Sequence, residues 1–172
     1  MSLPGDHLWT ATRATQVAAN ELTERFRGSN EPEYKQGGEL VTSADRAAEE
    51  HVIDIINETF PNHNIISEEA TPEFVPKPRW VVDSLDGTAN FTNGFPHFSV
   101  SVAFQAAAAP DIGVVYHVPT NRIYVAIEGE GAYVNGRPAK PSNTDTLSDA
   151  FIVTGYDSIL DSDLGATYLE AL

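Results

Sequence analysis

The chain has 172 residues, 10 Lys plus Arg against 25 Asp plus Glu for a net charge of −15, and no cysteine. Its length and ordinary apolar fraction fit one soluble globular domain with a real core. The charge disfavours nucleic acid and anionic membranes as partners, and the lack of cysteine excludes disulfides, thiolate zinc sites and cysteine nucleophiles. An anionic ligand would need a local reversal of this field, which a bound divalent cation supplies.

The lack of cysteine leaves the compartment open with the cytoplasm favoured, and the opening "MSLPGDHLW" lacks the basic region and apolar run of a signal peptide. Leu8, Ala11, Thr15, Ala18, Leu22 and Phe26 step by three or four and predict an amphipathic helix ending near Gly28. "GSNEPEYKQGG" has the composition of a loop and leads into a short β-prone run, Leu40 to Thr42. Ala48, Val52, Ile55 and Ile56 mark a second helix, opened by Thr42 or Ser43 as cap and closed before Pro61.

Short apolar runs follow at Ile65-Ile66 and Trp80 to Val82. From Phe98 the pattern is strand after strand: "FSVSVAF" alternates, and "DIGVVYHV" and "RIYVAIEG" flank Pro119-Thr120-Asn121 as a hairpin. Asn135-Gly136 is a stronger hairpin signal, because both residues tolerate the positive φ of a type I′ turn. Ala150 to Thr154 reads as a last strand and Asp163 to Leu172 as a terminal helix. The uncharged stretch from Gly87 to Pro110 is broken by Asn, Gly, Pro and His, which makes it soluble sheet and not a membrane span. Two helices followed by a largely antiparallel sheet predict an α+β fold or a layered α/β sandwich.

Chemistry concentrates in "WVVDSLDGTANF", where Asp83 and Asp86 stand at the end of a strand with Ser84 and Leu85 between them. A second apolar run ends in Glu68-Glu69, a pair that taken alone reads as the start of a solvated loop. If the two strands lie parallel and adjacent, Glu68 and Asp83 meet at one edge, with barely enough chain between for the crossover. Three carboxylates without a basic partner repel one another unless protonated, solvated or metal-bound. All-oxygen ligands select magnesium or manganese over zinc. His7, His51, His63, His97 and His117 show no metalloprotease spacing and read as surface or packing residues. Gly87-Thr88 follows the carboxylates, and a glycine there lets backbone N–H groups approach phosphate oxygens. A cation beside an anion nest suggests phosphoryl chemistry with a metal-activated water, which Thr88 would orient. Asp45 falls in the first turn after Thr42, where a carboxylate completes a capping box.

In this order and spacing, "LVTSAD", "IISEE", "WVVDSLDGTANFTNGFPHFSVSVAF" and "GEGAYVNGRP" resemble the inositol monophosphatase family of magnesium-dependent, lithium-sensitive sugar-phosphate phosphatases. For the fold, the resemblance implies a layered α/β sandwich with two N-terminal helices on a large, mostly antiparallel sheet. It runs to about Tyr156, so residues 1–156 are expected to form the family's N-terminal domain and 157–172 a short terminal segment. For the site, it implies Glu68, Asp83, Asp86 and the carbonyl of Leu85 as Mg2+ ligands, with Mn2+ as substitute and lithium as inhibitor. Gly87 and Thr88 would hold phosphate, Glu68 and Thr88 would position the attacking water, and Asp45 would serve a weaker third metal with Lys35 nearby. Position 84 is more often proline in the family, and Ser84 is expected to loosen the turn.

Family members continue into a second α/β portion with a Trp-Asp-x-Ala-Ala-Gly segment whose Asp completes the metal site. Here the only tryptophans are Trp9 and Trp80, neither followed by Asp. That C-terminal portion is expected to be absent and the site one carboxylate short. The expected partner is a phosphorylated sugar or polyol, with no nucleic acid, no membrane, and a homodimer as the implied assembly. The alternative is a truncated, catalytically impaired metal-binding or interaction protein of the same fold.

Overall fold

Helices α1 (Pro4–Arg25) and α2 (Ser43–Thr59) form where the three-and-four spacing of apolar residues places them. The computed structural model describes residues 4–26, 28, 33–34, 40–68 and 75–153. The inner face of α1 buries Ala11, Ala14, Ala18 and Leu22, and that of α2 buries Ala48, Val52 and Ile56. Alanine-rich faces of this kind let two helices approach closely. Thr42 caps α2: its hydroxyl accepts from the N–H groups of Ala44 and Asp45, and its own N–H donates to the Asp45 carboxylate at 2.8 Å. Asp45 thus completes the capping box that its spacing predicts.

Strand β1 (Glu33–Tyr34) falls inside the stretch expected to be a loop and pairs antiparallel with β2 (Leu40–Val41), which lies in the predicted β-prone run. A two-residue strand carries no alternation, so composition alone does not reveal β1. The main sheet has seven strands in the order β3 (Asn64–Ser67), β4 (Arg79–Asp86), β5 (Ser99–Gln105), β6 (Ile112–His117), β7 (Arg122–Ile127), β8 (Gly131–Val134) and β9 (Arg137–Ala139). Only β3 and β4 run parallel; every other pair is antiparallel. A short helix, α3 (Thr88–Thr92), leaves the end of β4. Both predicted hairpins are present: a 3₁₀ turn, Val118–Thr120, with Asn121 at φ 52° joins β6 to β7, and Asn135-Gly136 at φ 47° and 75° joins β8 to β9.

One face of the sheet packs on the helices. Trp80, Val82, Val100, Val102 and Val114 point into this core at alternate positions, as the period of two requires. Val81, Val115 and Tyr124 stand exposed on the other face.

By compactness the chain divides into two units, Met1–Lys140 and Pro141–Leu172. The first contains all the helices and strands above. The second is described as far as Val153 and holds a 3₁₀ turn, Leu147–Asp149. Ala150 to Val153 form no strand, contrary to expectation, and Phe151 is 94% exposed. A β-prone composition becomes a strand only when a neighbour takes up its N–H and C=O groups, and these residues join no ladder. The expected terminal helix, the boundary at 156 and Lys35 lie outside the described residues. Among the described residues no helix is long and apolar enough to cross a membrane.

Candidate active site

The parallel pairing of β3 with β4 sets Ser67 opposite Val82, so the next residues in step are Glu68 and Asp83. This is the juxtaposition expected from two strands that each end in carboxylates. Asp86 poses a separate problem. Residues three apart on a regular strand point to opposite faces, which would send Asp83 and Asp86 apart.

A β-bulge resolves it. Asp83 pairs with Ser101 and Asp86 with Ser99, so three steps on β4 match two on β5. The extra residue makes Ser84 and Leu85 both buried in succession, and Asp86 returns to the face that carries Asp83. Glu68, Asp83 and Asp86 therefore gather at one corner of the sheet, on the face turned away from the helices.

Electrostatics records this crowding. The Asp83 carboxyl is pushed up to about 7 by burial, by the charges of Glu68 and Asp86, and by a hydrogen bond shared with Glu68. Asp86 is exposed and accepts from the Ser99 hydroxyl at 3.3 Å. Among the described residues no three His, Asp or Glu side chains are placed so that they could hold an ion as they stand. The donor set nonetheless fits a hard divalent cation: two carboxylates share a proton where a positive charge is wanted, a third lies beside them, and all donors are oxygen.

Behind the carboxylates a second set of bonds ties α2 to β4 and α3. Asp45 is buried, and its Oδ1 accepts from the Thr88 hydroxyl at 2.9 Å while its Oδ2 serves the cap of α2. The Thr88 hydroxyl also lies 3.1 Å from the carbonyl of Leu85. Ser84, expected to loosen the turn, instead donates to the main-chain carbonyl of Asp45 at 3.2 Å. The hydroxyl turns inward because position 84 continues the inward alternation of Trp80 and Val82, and it meets the Asp45 carbonyl through the packing of α2, which no local sequence signal announces. Ser84 and Ser99 are thus site residues that sequence reasoning missed.

Gly87 ends the strand at φ 96° and ψ 38°, a left-handed conformation, and caps α3. A Cβ there would stand 3.0 Å from the main-chain oxygen of His97. Gly87→Ala is therefore expected to cost about 2 kcal/mol or more of stability, from the left-handed backbone and this contact together. Urea unfolding measures it; an unchanged midpoint would show that the turn relaxes freely.

The family model described as the inositol monophosphatase family matches residues 6–167. Inositol monophosphatase 3 of Solanum lycopersicum is 36% identical over 149 residues, 84% of this chain and 56% of that protein. The Nus factor SuhB of Escherichia coli K12 is 35% identical over 153 residues, 85% of this chain and 56% of that protein. Among solved structures, inositol monophosphatase II of Staphylococcus aureus MSSA476 superposes with a TM-score of 0.76 at 30% identity, covering 94% of this chain and 61% of that one. The chain thus spans little more than half the length of the curated relatives it matches. With fold, sequence and family model in agreement over nearly all of its residues, the chain belongs to the inositol monophosphatase family.

Proposed function

We propose that the protein is a magnesium-dependent phosphomonoester hydrolase acting on inositol monophosphate or a related sugar phosphate. The observation that carries this reading is the bulge-driven alignment of Glu68, Asp83 and Asp86 beside the Gly87-Thr88 turn. These three carboxylates and the carbonyl of Leu85 would hold Mg2+, with Mn2+ as substitute and lithium as inhibitor. A divalent cation bound there supplies charge neutralisation for the phosphate and lowers the pKa of water.

The chain's own residues do the positioning. Thr88 carries one hydroxyl proton and directs it to Asp45 or to Leu85, so its lone pairs are available to the attacking water. Glu68 is the carboxylate to which that water's proton can pass. Gly87 and Thr88 lie at the start of α3, where first-turn N–H groups lack intrahelical acceptors and suit phosphate oxygens. Asp45 orients Thr88, and serving a third metal would require it to share oxygens already engaged. Lys35 is assigned to that third site by resemblance alone. Cytoplasmic location and a homodimer belong to the same reading.

The second reading, a metal-binding or interaction protein without catalysis, is favoured by one observation: several relatives bear the name Nus factor SuhB. Assay of phosphate release from inositol 1-phosphate and a panel of sugar phosphates separates the two. Magnesium-dependent release that lithium inhibits and Asp86→Asn abolishes supports the hydrolase. Protein that binds magnesium yet releases no phosphate at saturating metal overturns it.

A further inference from the structure

Two histidines, 20 residues apart in sequence, meet outside the carboxylate site. His97 lies just before β5 and His117 ends β6; their rings stand 5.2 Å apart, with Nδ1 of His97 3.3 Å from Nε2 of His117. The other ring nitrogen of His117, Nδ1, is 2.7 Å from the Thr120 hydroxyl. We propose that His97 and His117 form a two-imidazole site for a borderline divalent transition-metal ion such as Zn2+, completed by water and separate from the carboxylates.

The spacing is the first argument. Two nitrogens bound to one tetrahedral zinc at about 2.0–2.1 Å each stand roughly 3.3–3.4 Å apart, which is the separation the two rings already have. The tautomer is the second argument. With Nδ1–H of His117 donating to Thr120, Nε2 presents a lone pair toward His97, and the outer hydrogen bond that fixes the ring is of the kind that supports metal-bound imidazoles.

Protonation points the same way. Burial, then His97 and Arg122, hold the His117 imidazole below its usual range, which keeps it in the neutral, ligating form. Arg122 is the register partner of His117 on β7 and opposes a cation there; the acidic surface of the whole chain works against it. Among the described residues no third His, Asp or Glu completes the set. The site is therefore open, and affinity rests on two protein ligands.

Such an ion would act on structure. The main-chain oxygen of His97 accepts from Asn90 of α3 at 2.7 Å, so joining His97 to His117 would tie the segment after α3 to the β6–β7 turn.

The test titrates Zn2+ into the protein under saturating Mg2+, which occupies oxygen ligands and leaves imidazole free. Histidine side-chain NMR follows all five rings. One Zn2+ per chain is expected, shifting His97 and His117 together. His97→Ala or His117→Ala should weaken that binding at least tenfold, and Thr120→Val about tenfold, through the lost outer hydrogen bond. If Zn2+ leaves the two rings unshifted in the unaltered protein, or binds the double alanine variant equally well, the assignment fails. The first of these outcomes needs no variant, so a misfolded substitution leaves the proposal falsifiable.

Discussion

Asp83→Asn is expected to abolish magnesium binding and, in the same protein, to raise the stability of the metal-free form. Both effects come from one carboxyl. In the folded chain Asp83 titrates near 7 instead of 3.8, because burial and the neighbouring Glu68 and Asp86 penalise its charge. Between those values the folded state holds a proton that the unfolded state has released. Stability of the metal-free protein therefore falls as pH rises from about 4 to about 7 and is flat above that. Asparagine removes the charge and with it the penalty, so the metal-free variant should melt a few degrees higher than the unaltered protein at about pH 8.

The metal response should reverse in rank. In the unaltered protein a bound cation would replace the shared proton, so affinity should weaken as pH falls through 7, and magnesium should raise the melting temperature most above it. Asp83→Asn should lose this shift, and any magnesium-dependent phosphate release should fall at least about 100-fold. Thermal melts with and without magnesium at about pH 6 and 8 check both claims. A variant that is less stable than the unaltered protein without metal would show that Asp83 serves packing and not an ion.

Much of this arrangement is legible in the chain, and the part that is not has a definite cause. The three-and-four spacing in α1 and α2, the alternation in β5 and the positive-φ pair Asn135-Gly136 are local signals, and each predicts its element. The meeting of Glu68 with Asp83 follows once β3 and β4 are taken as parallel. The bulge at Ser84-Leu85 follows from nothing local. It depends on how β4 registers against β5, and it decides that Asp83 and Asp86 share a face. Ser84 shows the same limit, since its hydroxyl has a role only because α2 brings the carbonyl of Asp45 within reach. His97 and His117 likewise meet only through the pairing of β5 with β6. At Ala150 to Val153 the composition is β-prone, yet no strand forms, because pairing decides and these residues join no ladder.

Trp80→Ala should be the most destabilising single change among the described core residues, costing about 3–5 kcal/mol. Trp80 is fully buried and is the largest fully buried side chain. Its ring packs 5.1 Å from Phe104 and 5.6 Å from Phe60, with His7 stacked at 4.0 Å from Phe104 and 4.4 Å from Phe60. Removing it leaves a void that three separate elements, α1, β4 and β5, would have to close at once. Against a total stability of about 5–15 kcal/mol, such a loss leaves the fold marginal. Trp80→Phe keeps much of the apolar contact and loses part of the ring volume together with the indole N–H that donates to Nδ1 of His63 at 3.2 Å, so about 1–3 kcal/mol is expected. That bond requires an unprotonated Nδ1, and burial holds the His63 imidazole below its usual 6.5. The folded state then binds fewer protons than the unfolded one, so this contribution is complete above 6.5 and is lost as pH falls below it. Trp80 also precedes Asp83 by three residues on β4, which links the core to the site. Partial loss of magnesium affinity in Trp80→Ala, restored in Trp80→Phe, would show that the buried ring holds the carboxylate strand in place; equal urea midpoints for the two variants would refute it.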